Sequence, residues 1–498
     1  MNRREFLKRT TAGAALFTAP VIAARGAGQS GPRTSAAIDR AAIAKLASTL
    51  KGQALLPGDD GYAAASQDWV GQLRLRPGVV VRCAAASDVA AAVAFAREHE
   101  LPLAVRNGGH AFRSTDGGML VNLAGMKGVR VDAQARTARA EAGLLLGDLD
   151  AATRPSGLAA ILGECPSVGL SGYTLGGGLG RLMARRGSGS DNVVSAEVVT
   201  ADGRLLRASA EDNADLFWAI RGGGGNFGIV TSMTHRLHPV GQVLAGTLEY
   251  PLSHAVRVLQ FFRDFIGEAP DDLDGLFEAG TIRQYAPDAR EPGVVVNVCC
   301  GGDTRAAERT LRPLRTFLEP ARDTIRPMSY FDAQTLGANL ALLRTHLGPG
   351  YSRAARNGFV ADLNNEAIDT VVSHLERAPS EAWSLAFDHY LHGEVCRLPT
   401  AASAFSLRQR GFSFRLIAFE AGSDPADRSA AWVRSLHGAL DRFSGGRMYL
   451  NYVTDQGEAG VRSSLGENYS RLVSLKRRYD PTNFFRLNPN ITPAAPSL

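Results

Sequence analysis

The stretches Arg106-Asn107-Gly108-Gly109-His110 and Gly163-Glu164-Cys165-Pro166-Ser167-Val168-Gly169 decide how this chain is read. Each sets one nucleophilic side chain, His110 or Cys165, in a glycine-rich turn. Glycine has no Cβ and tolerates positive φ, so such turns let the backbone approach a flat ligand closely. A histidine and a cysteine offered this way can hold one cofactor by two covalent bonds. A strand expected at Leu103-Ala104-Val105-Arg106 delivers the chain straight into the first turn.

Around these turns the pattern alternates between β and α. Val79-Val80-Val81-Arg82-Cys83 reads as a buried strand, and Ser87-Asp88 as the cap of a helix through Val89–Ala96. A helical lead-in is expected at 36–50, and further strands at 119–123, 128–132, 136–141, 193–199 and 204–207. Ala201-Asp202-Gly203 is a hairpin signal. From about residue 245, long strands (244–250, 294–300, 383–392, 411–420) alternate with helices (253–267, 304–318, 365–378, 427–442). That texture predicts an antiparallel sheet covered by helices, and hence an α+β fold. The tail from Arg447 carries Tyr449-Leu450-Asn451-Tyr452, a helix over Tyr469–Tyr479 and the stop Asp480-Pro481.

Gly223-x-Gly225-x-x-Gly228 matches the dinucleotide fingerprint in form, but a helix precedes it (Asp215–Ile220) and a strand (Ile229-Val230-Thr231-Ser232) follows. The fingerprint requires the opposite order. No GxxxxGK[ST] occurs, so a Walker-type site is excluded as well. Three glycine clusters (107–109, 172–180 and 222–228) fall in one expected domain, where backbone N–H groups can receive a pyrophosphate without side-chain charge.

The 498-residue chain is too long for a single core, and its 45% hydrophobic and 21% charged content is ordinary for a globular protein. Of the formal charge of +6, residues 1–30 hold +4, so the rest gives no case for nucleic acid. Asn2-Arg3-Arg4-Glu5-Phe6-Leu7-Lys8 is a twin-arginine pattern, followed by a weakly apolar stretch from Thr11 to Ala24. We expect residues 1–30 to be an export signal leading to the periplasm or outside the cell, with no membrane span in the mature protein. The twin-arginine machinery carries folded proteins, which suits a cofactor fixed before export. The five cysteines are odd in number and lack CxxC spacing, so neither a disulfide framework nor a metal site is expected. Cys83 and Cys299–Cys300 sit in apolar runs as expected buried hydrophobes.

Residues of about 65–240 resemble the FAD-binding domain of the vanillyl-alcohol-oxidase/p-cresol-methylhydroxylase (PCMH) superfamily, and the chain after the signal resembles its berberine-bridge-enzyme-like branch. The stretches that carry this likeness are Arg106–His110, Gly163–Gly178, Asp215–Val230, Tyr449–Tyr452 and Gly466-Glu467-Asn468-Tyr469 through Asp480–Phe485. The resemblance implies a two-part FAD-binding domain of the PCMH type over 36–244, a substrate domain over 245–446 and a segment, 447–498, returning to the first. It implies FAD bonded at its 8α carbon to His110 and at C6 to Cys165. Further implied contacts are Arg106, Asn107, Gly108, Gly109, Ser114, Val168, Gly169, Gly172, Gly176, Gly177, Gly228, Val230 and Asn488. Relatives with valine at the position of Val168 react readily with oxygen.

The same likeness makes Tyr452 the catalytic base, a role that requires its phenolate to be stabilised. If Tyr449 and Tyr452 lay in a regular strand they would point oppositely. Tyr449 and Tyr173 are further implied catalytic candidates; Tyr173 falls where the family often has a histidine near the flavin, and Leu179 replaces a tyrosine of some plant members. An acidic or polar partner is implied on the substrate sheet, with Asp388, His389, His392, Arg415 and Glu420 as candidates. Strand parity places Asp388, Tyr390 and His392 on one face and His389 on the other.

The implied activity is oxidation of an alcohol or hemiacetal, with dioxygen reduced to hydrogen peroxide. A doubly tethered flavin permits an open groove, which favours a sugar or oligosaccharide substrate. The alternatives are a tailoring oxidase or dehydrogenase acting on an alkaloid or polyketide, and, more distantly, a non-catalytic exported binding protein.

Overall fold

The computed structural model describes residues 39–69, 75–111, 113–281, 291–336, 351–378, 382–421, 427–453 and 456–493. The expected export signal lies outside them. The first sheet runs in the order Gln53–Leu55, Val79–Arg82, Met119–Asn122, Leu103–Arg106. Its last three strands are parallel. Val79, Val80 and Val81 are all buried, because both faces of this sheet are covered: Val79 and Val81 pack with Val89 and Val93, and Val80 packs with Leu55 and Tyr62. The helix Ala86–Glu98 starts earlier than the sequence signal implies. Asp88 lies in its first turn, where its carboxylate accepts from the amides of Ala84, Lys51 and Gly52 (each 2.9 Å). It therefore clamps the junction between the lead-in and the sheet instead of serving as the N-cap.

A second, antiparallel sheet has the order Val129–Asp132, Thr137–Glu141, Ile229–Arg236, Val193–Val199, Leu205–Ser209, with the expected hairpin joining the last two. Among the described residues a third sheet has eight strands, all antiparallel. Its order is Arg322–Asp323, Gln242–Pro251, Gly293–Cys300, Leu273–Gly280, Ala382–Leu391, Gly411–Ala421, Tyr351–Val360, and Arg326–Ser329 also pairs with Gln242–Pro251. One face of this sheet supplies Phe277, Val296, Leu385, Phe387 and Phe414 to a core shared with the helices Ala255–Gly267, Thr304–Thr316, Asn365–Leu375 and Asp427–Asp441. Alternation sends Asp274, Glu278 and Asn297 to the opposite face, where they are held in polar contacts. This is the α+β class expected.

Leu273–Gly280 and Tyr351–Val360 were not anticipated as strands. The first carries Asp274 and Glu278, and the second carries Arg353, Arg356 and Asn357, so neither reads as an apolar run. The strand Ala382–Leu391 contains a β-bulge: Phe387 pairs with Phe414 and His389 with Ser413, leaving Asp388 as the extra residue. The bulge overturns the parity expected here. Tyr390 packs against the helix-side core, while the next residue, Leu391, belongs to the cluster on the other face with Leu179 and Phe405.

The tail packs Val461, Leu465, Tyr469 and Leu472 against Leu216, Trp218, Phe227 and Val230. Its anchor is Lys476, whose Nζ is fully buried and donates to Asp480 Oδ2 (2.6 Å), Asn226 O (2.9 Å) and Phe485 O (3.0 Å). Asp480 in turn accepts from the amides of Phe484 and Phe485 (2.7 and 2.9 Å). Removing one partner would strand a buried charge. Asp480→Ala is therefore expected to lower the unfolding free energy by about 3–5 kcal/mol, read as a shift of the chemical-denaturation midpoint.

Candidate flavin site

The two glycine turns press against each other. A Cβ on Gly108 would stand 2.5 Å from the amide nitrogen of Gly169 and 2.8 Å from the carbonyl of Ser167. A Cβ on Gly169 would meet the Asn107 carboxamide at 2.7 Å. The need for glycine at these two positions thus comes first from turn-to-turn contact. Gly109 has φ +79°, a left-handed conformation that glycine adopts without strain. Asn107 Nδ2 stitches the pair to its surroundings through Leu144 O (3.2 Å) and Ser171 Oγ (3.1 Å).

The contact brings His110 and Cys165 to one hydroxyl. His110 Nε2 lies 2.9 Å from Ser167 Oγ, and Cys165 Sγ lies 3.4 Å from the same oxygen. The His110 ring stacks on Trp69, with centroids 4.2 Å apart and planes 11° apart. Trp69 was not anticipated; a single aromatic residue in a loop gives no sequence signal. Ser167 lay inside the quoted stretch but was read only as part of the turn.

Among the described residues, several buried polar atoms around these turns have no hydrogen-bond partner: Arg106 Nε, Asn107 Oδ1, Arg113 Nε, Ser114 Oγ and Asn488 Oδ1. Such groups need partners. Burial lowers the pKa of both Arg106 and Arg113. The space a Cβ would take at Gly172 is open, with no described atom from outside its own helix within 4 Å. Donors, acceptors and an open cradle fit a polar, flat cofactor such as FAD, with His110 and Cys165 beside them. Val168 is half-buried against the cluster around Leu146 and Leu170.

The other expected contacts divide. Gly176 is required because a Cβ would collide with Asn451, and Gly177 because a Cβ would collide with the Phe405 ring. Gly228 meets Val198 at 2.5 Å and Val199 O at 2.7 Å, and Val230 is buried in the core beneath, so the structure gives both a packing role. Asn488 Nδ2 donates to Gly225 O (3.0 Å), tying the tail to the third glycine cluster.

Leu450–Tyr452 forms a 3₁₀ turn, not a strand. Residues three apart then lie on one side. Tyr449 and Tyr452 meet edge to face with centroids 5.0 Å apart, which removes the expected opposition. Tyr449 is buried, and its hydroxyl accepts from Gly178 N (3.0 Å) and Asn451 Nδ2 (2.8 Å). Burial pushes its pKa up to about 12. Asn451 Nδ2 also donates to Tyr173 O (2.9 Å), and Arg113 donates to Val453 O (3.2 Å), so the turn is bound to both glycine-rich halves. Tyr173 donates its own hydroxyl to Leu179 O (2.8 Å) within a core. Tyr449, held by Gly178 and Asn451, packs against Tyr452.

Tyr452 donates its hydroxyl proton to Asp388 Oδ2 at 2.7 Å. Asp388 is the extra residue of the bulge, and among the described residues its Oδ1 is buried with no hydrogen-bond partner. Burial, then the Asp388 charge, raise the Tyr452 pKa well above 10; Arg415 opposes them. This reverses the expectation of a stabilised phenolate: the proton is held between the two groups. His389 stands near Asp274 on this side, whereas His392 stacks on Tyr390 (5.3 Å) and faces Asp271, away from Tyr452. The side chain of Glu420 lies outside the described residues.

A buried ionic bridge joins the cysteine stretch to the sheet. Arg181 contacts Glu164 Oε1 (2.7 Å), Asp274 Oδ2 (2.9 Å) and Asn297 Oδ1 (3.1 Å). Burial raises the Asp274 pKa, and Arg181 offsets part of the rise. Gln334 adds hydrogen bonds to Leu162 O and Gly163 O (2.8 and 3.0 Å).

Because the turn contact sets the site, Gly108→Ala should retain far-UV circular dichroism but attach flavin poorly. A displacement of ~1 Å between reacting groups costs on the order of 100-fold in rate. Bound flavin per chain, measured by absorbance, checks it.

Residues 77–209 match the family model "FAD binding domain", and residues 448–492 match "Berberine and berberine like". An FAD-linked oxidoreductase of Dictyostelium discoideum is 31% identical over 82% of this chain and 86% of its own length. (R)-6-hydroxynicotine oxidase of Paenarthrobacter nicotinovorans is 30% identical over 90% of this chain and 99% of its own. The crystal structure of 6-hydroxy-D-nicotine oxidase from Arthrobacter nicotinovorans superposes with TM-score 0.79 at 29% identity, covering 89% of this chain and 98% of that one. A xylooligosaccharide oxidase from Myceliophthora thermophila has the same fold, with TM-score 0.79 at 22% identity over 91% of this chain and 100% of that one. The glycine turns and the Tyr449–Tyr452 turn fall in or beside the two matched segments, and the likeness runs over nearly the full described length; the chain belongs to the berberine-bridge-enzyme-like FAD-linked oxidoreductases, with a PCMH-type FAD-binding domain and a berberine-bridge-like C-terminal segment.

Proposed function

We propose that this oxidoreductase is an exported oxidase of alcohols or hemiacetals, with sugars or oligosaccharides as the leading substrates. FAD is bonded to His110 and Cys165, dioxygen is the electron acceptor and hydrogen peroxide the product. The observation that carries the reading is the Tyr452–Asp388 hydrogen bond of 2.7 Å, held by a turn that is itself bound to the flavin-side glycines. Bound FAD supplies a two-electron acceptor for the substrate hydride.

The chain's own residues move the proton. A substrate hydroxyl donates to the Tyr452 oxygen while Tyr452 passes its proton to Asp388 Oδ2. No free phenolate forms, so a raised Tyr452 pKa is compatible with the role. Tyr449 and Asn451 fix the turn, and the bulge fixes Asp388. The twin-arginine pattern in residues 3–4 supports export, and Val168 supports oxygen as acceptor.

A second reading, oxidation of a small nitrogenous or secondary metabolite, is favoured by the 30% likeness to (R)-6-hydroxynicotine oxidase, which exceeds the 22% identity to the xylooligosaccharide oxidase. Peroxide production across sugars, aromatic alcohols and cyclic amines separates the two.

Tyr452→Phe is expected to bind substrate but reduce flavin roughly 100- to 10,000-fold more slowly, and Asp388→Asn to slow it in the same step. An unchanged stopped-flow reductive phase in either variant removes that residue from the mechanism. Flavin should stay with acid-precipitated wild type and with Cys165→Ala, and be released from the His110→Ala/Cys165→Ala double variant. Release from the wild type would exclude covalent attachment.

A further inference from the structure

We propose that Ser167 is a proton relay that activates Cys165 for its bond to the flavin, with His110 as the terminal acceptor. The inference rests on the doubly attached flavin proposed above. Ser167 Oγ lies 2.9 Å from His110 Nε2 and 3.4 Å from Cys165 Sγ. A hydroxyl has one proton to donate and lone pairs to accept with. The only arrangement that serves proton removal has the thiol donating to Ser167 and Ser167 donating to His110 Nε2. A cysteine reacts as the thiolate, so its proton must leave before or during attack.

The geometry around the hydroxyl is fixed from three sides. Trp69 stacks on the His110 ring and sets the plane in which Nε2 points. Gly108 packs directly against Ser167 O, which holds the Ser167 backbone beside the histidine turn. The Val168 amide donates to Cys165 O (3.2 Å), closing the turn that carries both Cys165 and Ser167. An imidazole alkylated at Nδ1 keeps Nε2 as a basic nitrogen, so the relay remains available after a bond to the flavin 8α carbon forms at that nitrogen.

The S–H proton passes to Ser167 Oγ as the Ser167 proton passes to His110 Nε2, leaving a thiolate and an imidazolium. The thiolate forms the S–C6 bond and the C6–H bond is lost. Dioxygen takes the two electrons and, with two protons, leaves as hydrogen peroxide. Thiol, FAD and dioxygen thus give the thioether of FAD and one hydrogen peroxide.

The test compares full-length wild type, Ser167→Ala and Ser167→Thr after denaturing digestion, by mass spectrometry of the peptides containing His110 and Cys165. In wild type and Ser167→Thr the two peptides should be joined through one flavin. In Ser167→Ala the flavin should remain on the His110 peptide, with joining slowed about 100-fold. A packing role predicts the opposite ranking, because threonine adds a methyl group that alanine does not. Joining in Ser167→Ala at the wild-type rate overturns the relay. If the wild-type peptides are not joined, the double attachment itself fails, and the relay is then judged on the free thiol. Iodoacetamide labelling of Cys165 at pH 7 should be at least about tenfold slower in Ser167→Ala than in wild type or Ser167→Thr, and equal rates overturn it. Ser167→Gly, which also lacks the hydroxyl, replaces Ser167→Ala in both measurements if the alanine variant does not fold.

Discussion

The Asn107–Gly109 turn packs backbone to backbone against the turn ending at Gly169, and the placement of His110 beside Cys165 depends on it. No side chain can be placed at Gly108 or Gly169 without moving the opposite turn. The contact joins two separate sequence features, some sixty residues apart, into one surface. It also explains why both turns are glycine-rich before any ligand is considered. The Arg181 bridge extends the same rigid unit across to the substrate sheet through Asp274 and Asn297. A buried arginine shared by two carboxylates is a costly device unless its geometry is fixed. Here it fixes the position of the residue before Cys165 against the sheet that carries Asp388.

The Tyr452–Asp388 pair sits between two local irregularities. A 3₁₀ turn places Tyr452 over Tyr449, and a bulge in the strand Ala382–Leu391 has Asp388 as its extra residue. Neither irregularity is a defect of regular structure. The first brings two tyrosines three residues apart to one side, and the second exchanges the faces of the residues that follow Asp388. The same insertion turns Tyr390 to the helix side, where it packs on Phe412 (4.7 Å between centroids).

These irregularities mark where reading from sequence stops. The strands Val79–Arg82, Leu103–Arg106 and Val193–Val199 were legible because apolar β-branched runs bounded by turns have few alternatives. The reactive turns were legible because glycine next to His110 and Cys165 is a chemical pattern. Leu273–Gly280 and Tyr351–Val360 were not, because one face of each is polar and faces the other half of the molecule, so the tertiary setting outweighs the pattern. Parity failed beyond Asp388, at His389 and Tyr390, because an inserted residue leaves no trace in composition. Position near a motif likewise does not reveal that the Tyr173 hydroxyl is committed to Leu179 O. Trp69 and the Arg181 bridge were missed because stacking and ion pairing across long separations are invisible in one dimension.

The Lys476–Asp480 anchor has a consequence for how the protein is made. Lys476 bonds to Asn226, and Ile491 N donates to Asn226 Oδ1 (2.9 Å), so the core around Phe227 and Val230 is closed by residues synthesised roughly 250 positions later. Domains generally fold in order of emergence from the ribosome. Here the half that carries His110 and Cys165 emerges first, yet must wait, partly open, for a tail roughly 250 residues downstream. Closure of that half therefore comes late, which gives a diffusing cofactor a window for entry that ends when the distant segment docks.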